Sequence, residues 1–550
     1  MSFDAPFPFP LPDGFRGIFR TDLIARALYA EGAGIARCLP AAVAVPVDTA
    51  DVSLLARWAK QTGAGLMPRG SGSGMAAGAV GAGVVVDLSR FTQVGAVDVD
   101  ARRIRVGAGA TRGAVDAQAR AQGLRFPVDP SSGAFCTIGG MVGTNAAGAR
   151  TLRFGAMRPW VLGLHCVFDD GTSAWVHRDR PLPVAPAVTR LQAALTQIGA
   201  HGDVRALVHA GVRKESSGYG VAAALQNGGH LIDLLVGSEG TLAIFTEVEL
   251  ALIPAAGATA TIMATFSSLE AASACAVEAF GAGASACELL DRTFLDVAER
   301  GGPTGVPPEA EAVLLTEVEG ENADECAQNA AMMTAFCRQN NAVSVTVATD
   351  RETERALWTL RHAASPILSQ LAPRLRSMQF IEDGCVPPAR FPDYVRGVRE
   401  ALRRFDTIGV IFGHAGDAHA HVNPLVDTMA SGWRDRVHGL LDTVCDLTTR
   451  LGGTLAGEHG DGRLRAALLP RVWSAEALAA FANIKAAADP AGVLNPGCKV
   501  TPHGEAPDPI GTLRHDPDAP PLPPPVRAAL DEIERTRAWQ RFRLDLVKSA

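Results

Sequence analysis

A chain of 550 residues is too long for one ordinary core, so two or three domains are expected. With 47% hydrophobic and 20% charged residues it is a folded globular protein, and disorder is excluded for most of its length. A formal net charge of −7 argues against nucleic acid as a partner.

The first twenty residues alternate Phe and Pro with acidic residues. They show no basic segment followed by an apolar core, so no signal peptide is expected, and no apolar run reaches the ~18 residues needed to span a membrane. Val84 to Leu88 and Ile104 to Val106 have strand character, and Thr111 caps a predicted helix running to Gln122, stopped by Gly123. The apolar runs Leu231 to Val236 and Thr241 to Leu252 read as buried strands ending at Pro254. After Pro254 the texture changes. Alanine-rich helices (Leu269 to Phe280, Ala323 to Arg338, Asp393 to Phe405) alternate with strands (Ala312 to Glu317, Val343 to Ala348), which suggests a separate sheet backed by helices. From about Thr501 the chain turns Pro-rich. The segment Val526 to Lys548 then reads as an amphipathic helix, either for a partner or packed on its own domain. The ten cysteines include no Cys-x-x-Cys pair, which excludes the usual iron–sulfur and zinc-ribbon spacings here and suits a reducing cytoplasm.

Three loops of small residues lie beside predicted strands: Pro68 to Gly74, Asp129 to Gly148, and Gly237 to Leu242. Glycines let a backbone approach an anion and turn its N–H groups toward it, and the serines add hydroxyl donors. None of the three is Gly-x-Gly-x-x-Gly or a Walker loop, so a Rossmann or nucleotide-triphosphatase site is disfavoured. Flexible linkers share this composition, but three such loops beside strands are poorly explained as linkers.

The densest chemistry lies in Gly413 to Asn423, which holds three of the thirteen histidines, and in Gly457-Glu458-His459-Gly460-Asp461-Gly462. Imidazoles and carboxylates on glycine-flanked loops are the materials of a metal-assisted acid–base site. His419-Ala420-His421 is also a His-x-His pair of the kind found in metallohydrolases, so a hydrolase stays open on these residues alone.

The ordered loops, together with Phe154-Gly155, Lys214 to Tyr219, Asp489-Pro490 and Leu494 to Gly497, resemble the vanillyl-alcohol oxidase / p-cresol methylhydroxylase superfamily. The similar branch holds the FAD-linked D-lactate, glycolate and D-2-hydroxyglutarate dehydrogenases, and the resemblance covers roughly residues 20 to 500. It implies an α+β protein: a two-part PCMH-type FAD-binding domain plus an α+β substrate (cap) domain with an antiparallel sheet backed by helices. The implied layout is an N-terminal segment (1–34), the FAD-binding domain (35–255), the cap (256–450), a segment returning to the site (451–500) and the Pro-rich tail (501–550).

The resemblance also implies roles. FAD is expected on Arg69, Gly70, Ser71, Gly72, Gly74, Asp129, Pro130, Ser131, Thr137, Gly140, Asn145, Gly148, Glu239, Gly240, Ile244 and Asn495. Serines stand where some members attach flavin through a histidine, so the FAD is expected to be non-covalent. His414, His421 and Glu458 are the implied ligands of a divalent metal, usually zinc; His459 is the implied general base, and Arg361 and Asn423 the substrate contacts. His419 and His362 fit no ligand position and are read as structural, and Asp417 and Asp461 as turn residues.

This sequence departs from the family pattern in two places. Asp417 is followed by Ala418-His419 rather than Gly-Asn, and Gln379 to Pro387 lacks the lysine that D-2-hydroxyglutarate enzymes direct at a distal carboxylate. The expected reaction is therefore oxidation of a small, D-lactate-like D-2-hydroxy acid to the 2-oxo acid, with the D-2-hydroxyglutarate and glycolate activities as alternatives. Glu382-Asp383 and Gly457 to Arg463 look most like members fused to an iron–sulfur region. The expected electron acceptor is accordingly a quinone, a cytochrome, an electron-transfer flavoprotein or a separate iron–sulfur protein docking near the tail. A flavin subunit of an electron-transfer complex, peripheral association with the inner face of a membrane, and a homodimer stay open.

Overall fold

Val84-Val85-Val86 is apolar on both faces, as a strand buried from both sides must be. It runs parallel to Ala42–Val45 and Leu66–Arg69, and Ile18–Arg20 closes this four-stranded sheet antiparallel. The even-numbered residues of the three parallel strands pack on the helix Thr49–Thr62, and the odd-numbered ones on Leu23–Leu28 and the C-terminal helix Pro524–Thr536. A second sheet orders Val94–Asp98, Arg103–Gly107, Ile244–Ala251, Val161–Val167 and Ser173–His177, all antiparallel. The computed structural model describes residues 7–348, 350–368, 374–501 and 507–547; the side chains of 201, 351 and 362–368, His362 among them, lie outside that description.

The third sheet is eight-stranded, antiparallel, and built from residues 258–427. Side-chain alternation gives it two different faces. Cys287, Leu289, Leu314, Ile411, Ala420 and Val422 point back onto the helices Leu269–Glu278, Ala323–Gln339, Phe391–Arg404 and Trp433–Arg450. Leu290, Val313, Leu315, Val410, Phe412 and Leu425 point forward, under Arg292–Glu299 and Arg351–Leu368. The same forward register carries Glu288, Glu317, Glu319, His421 and Asn423. Glu319 holds Arg125 of the first half bidentately at 2.8 and 2.6 Å, and Glu317 holds Arg150 at 2.7 and 2.6 Å. Glu317 and Glu319 thus fasten the sheet to the first half of the chain.

Three elements differ from the sequence reading. Leu231–Leu235 is a short buried helix, since a five-residue apolar run buried all round carries no period to separate helix from strand. The strand expected from Thr241 begins only at Ile244, because Gly237 and Gly240 adopt positive φ and turn the chain first. The tail helix, expected to run to Lys548, ends at Thr536 because Arg537 turns left-handed, and it packs on its own molecule: Val526 and Leu530 bury against Leu28, Tyr29, Val43 and Val85, and Arg527 pairs with Glu31 at 2.8 Å. Nine of the ten cysteines are buried and all are free thiols. Among the described residues no helix is long and apolar enough to cross a membrane.

Candidate active site

The strands Ile408–Gly413 and His419–Asp427 form a hairpin, and the loop between them contains a left-handed turn at Ala418 (φ 57°). That geometry brings His414, at the end of one strand, beside His421 on the other, and pairs His421 with Phe412 in register. Glu458 arrives from the Glu-His-Gly loop, which is anchored because the backbone N–H of His459 donates to Asp383 Oδ2 at 2.9 Å.

Three imidazole Nε2 atoms converge on one carboxylate oxygen. Glu458 Oε1 lies 3.2 Å from His414, 3.1 Å from His421 and 3.5 Å from His459. In each ring the other nitrogen has its own partner. His414 Nδ1 meets Glu288 at 2.5 Å, His421 Nδ1 the Glu382 carbonyl at 2.9 Å, and His459 Nδ1 the Glu382 carboxylate at 2.8 Å. Such outer partners fix ring orientation and leave the inward nitrogens available as ligands. Arg361, from the helix over the forward face, reaches Glu288 at 2.5 Å and lies over the Phe412 ring. Arg361, Glu288, His414 and Glu458 therefore form one connected chain.

Charge balance in this buried region is uneven. Burial alone would push His459 down, but Glu382 and Asp383 outweigh it and hold its pKa at about 10. His414 likewise stands at about 9, burial being overcome chiefly by Glu288. His421 is lowered, with burial the leading cause. Glu458 is held well below the carboxylate range: burial opposes this, and Lys214 and His414 prevail. Lys214 itself is fully buried, with Nζ 2.7 Å from Glu458 Oε2.

The three small-residue loops meet next to this cluster. A Cβ on Gly70 would strike Thr137 of the second loop, and one on Gly240 would strike Pro68 of the first. The Glu239 N–H donates to Gly143 O at 2.7 Å, joining the second loop to the third. Glu239 then accepts from the N–H groups of Asp461 (2.8 Å) and Gly462 (3.0 Å) and forms an ion pair with Lys499 Nζ (3.1 Å), binding the third loop to the Glu-His-Gly loop. Asn495 bridges as well, donating to Gly78 O (3.0 Å) and Glu239 O (2.6 Å) and accepting from Arg463 (2.6 Å). Ser238 Oγ, in the third loop, is buried without a hydrogen-bond partner, a donor for a polar ligand.

The structure gathers most of the sequence-derived residues, though some in other surroundings than their expected roles suggest. Arg69 spends its guanidinium on the carbonyls of Tyr29, Glu31 and Ala79. Ser71 Oγ donates to Ser73 Oγ at 3.1 Å, and Gly72 turns at φ 73°. Asp129 pairs with Arg150; Gly148 N donates to Thr151 Oγ1. Thr137 caps the helix Ile138–Thr144 through Gly140 N, and Asn145 ends it in left-handed conformation. Pro130 and Ser131 follow Asp129 in the loop, Gly74 has open space where a side chain would stand, and Ile244 opens a buried strand. Asn423 is buried on the forward face two residues from His421.

His419, read from the sequence as structural, lies beside the cluster: one ring nitrogen is within 4.8 Å of donor atoms of His414, His421 and Glu458. One reading needs correction. Asp461 is no mere turn residue; it is fully buried and accepts from Ser217 Oγ, Gly218 N and Lys499 Nζ at 2.8, 2.7 and 3.0 Å. Residues that sequence reasoning missed are Glu288, Glu382, Asp383 and Lys214. Their only signal was a charge in an otherwise apolar strand for Glu288, and the paired acids before Gly384 for the next two.

The sequence matches the FAD binding domain over residues 40–177 and the C-terminal domain of the FAD linked oxidases over residues 256–498. The D-lactate dehydrogenase of Archaeoglobus fulgidus is 30% identical over 464 residues, 83% of this chain and 90% of that protein. The glycolate oxidase subunit GlcD of Bacillus subtilis is 29% identical over 465 residues, 84% of this chain and 88% of the subunit. Among solved structures, a 4-ethylphenol oxidase from Gulosibacter chungangensis superposes with a TM-score of 0.64 at 14% identity. That superposition covers 88% of this chain and 94% of the other, and it speaks to the fold alone.

Proposed function

The chain belongs to the FAD-linked oxidases, and we propose that it oxidises a small, D-lactate-like D-2-hydroxy acid to the 2-oxo acid. The observation that carries this reading is the abutment of the three loops on the histidine cluster through Glu239. A hydrolase has no use for those loops. A non-catalytic flavin subunit has no use for a buried cluster in which each ring is held by a partner.

Two groups fit the residues present. FAD fits the glycine-walled loops, whose unpartnered Ser238 hydroxyl is a ready donor, with Ser71, Ser73 and the Gly139-Gly140 backbone expected to hold it non-covalently. A divalent cation, zinc by donor set, fits His414, His421 and Glu458, two imidazoles and a carboxylate with the inward nitrogens converging. When bound, the flavin supplies a hydride acceptor and the cation lowers the pKa of a hydroxyl beside it.

The chain's own residues do the rest. Arg361, anchored by Glu288 and backed by Phe412, offers a planar fork to the substrate carboxylate. Asn423 on the same face supplies a neutral donor and acceptor. His459 takes the hydroxyl proton at Nε2 while its Nδ1–H stays on Glu382, so Glu382 stabilises the imidazolium that forms. The pKa of about 10 means this ring is already protonated at neutral pH. It would have to release that proton first, and a cation held by Glu458, His414 and His421 would favour the release. The absence of a lysine in 379–387 disfavours a dicarboxylate, although a glycolate or D-2-hydroxyglutarate activity uses the same chemistry. The electron acceptor on this reading would be a separate quinone, cytochrome, electron-transfer flavoprotein or iron–sulfur protein.

The deciding experiment replaces His459 by Ala. The variant is expected to bind FAD normally and to lose substrate-driven flavin reduction by about 10²–10⁴-fold. Unchanged flavin reduction overturns the catalytic assignment.

A further inference from the structure

His419 is fully buried, and its Nδ1 has no hydrogen-bond partner. Leaving such an atom unsatisfied costs roughly 1–3 kcal/mol. Its Nε2 lies 2.9 Å from Asp383 Oδ1. Asp383 also accepts from the His459 and Glu458 backbone N–H groups and faces Arg465, so it is a fixed, ionised acceptor. A carboxylate so placed keeps the ring proton on Nε2 and leaves the lone pair on Nδ1.

This is the arrangement seen at the neighbouring rings. His414 and His421 each have one nitrogen held by a carboxylate or carbonyl and the other turned to the common centre. The His419 ring centre stands 4.6 Å from that of His421 and 5.5 Å from that of His414. One ligand atom from each of His414, His419, His421 and Glu458 fits within 4.8 Å of the others. A Cβ on Gly457 would strike the His419 ring, so the glycine makes room for it.

We infer that His419 Nδ1 is a fourth protein ligand of the divalent cation, giving a site of three imidazoles and one carboxylate. The inference rests on the cation site proposed above. It has a consequence for chemistry. Four protein ligands fill a tetrahedral site, so substrate is admitted only if the cation expands to five or more ligands. A competing explanation for the free nitrogen is an ordered water molecule on Nδ1.

X-ray absorption on the zinc-loaded full-length protein separates these. Three imidazoles are expected in the wild type and two in His419→Asn. Competition with a chromophoric chelator is expected to show zinc affinity falling at least about tenfold in the variant. Two imidazoles in the wild type, or a count and affinity unchanged by the substitution, overturns the inference while leaving the His414, His421 and Glu458 site standing. Failure of the wild type to bind zinc stoichiometrically overturns both. Because the wild-type count decides by itself, a variant that fails to fold does not rescue the idea.

Discussion

Several buried residues of this protein hold protons at pH values far from those of their free side chains. His459 acts as a base only when neutral, and Glu382 and Asp383 raise its pKa toward 10. The rate of flavin reduction is therefore expected to rise with pH along one limb as His459 loses its proton. Glu382→Gln removes one of the two carboxylates and should move the midpoint of that limb down; stopped-flow reduction across pH measures both. Asp291 is a test away from the site. It caps the helix Arg292–Glu299 through Phe294 N at 2.8 Å, and burial lifts its pKa to about 7. A raised carboxyl pKa gives stability that is complete below the unfolded value near 4 and lost as pH rises through 7. Asp291→Asn keeps the cap without the buried charge. It should leave the melting temperature unchanged at pH 4 and raise stability at pH 8 by on the order of 1–2 kcal/mol.

Among the elements, the parts legible in the sequence were those whose signals are local. Thr111 caps its helix as its position before Arg112–Arg120 requires, and the alanine-rich helix after Asn322 begins where that cap places it. His414, His421, Glu458 and His459 stood out because the residues of each half of the site are close in sequence. Glu288, Glu382, Asp383 and Lys214 were not legible, since only strand register and loop packing bring them within reach. The surroundings of His419 were hidden for the same reason: its partner Asp383 is 36 residues away. Loop convergence is equally non-local, and it depends on backbone that only glycine supplies. Gly462 has φ 54°, and a Cβ there would collide with the Ala76 carbonyl. Gly462→Ala is expected to separate the Glu-His-Gly loop from the first flavin loop. Thermal unfolding should show a loss of about 2 kcal/mol or more, and the purified protein should carry less FAD by absorbance.

Over the whole molecule, the flavin-loop half and the eight-stranded sheet must stay in register for hydride transfer, and buried ion pairs set that register. Glu319→Leu strands Arg125 in a buried junction and should cost about 3 kcal/mol, read as a lower melting temperature. The double variant with Arg125→Met should recover most of that loss, which identifies a paired charge rather than lost packing as the cause. The central claim is that one buried site joins flavin, cation and 2-hydroxy acid. Its most direct test is anaerobic bleaching of the flavin absorbance by a panel of D- and L-2-hydroxy acids, with and without prior removal of divalent cations by a chelator. Bleaching by a small D-2-hydroxy monocarboxylate, abolished by the chelator while FAD stays bound, is the predicted result. No bleaching by any hydroxy acid would contradict the account.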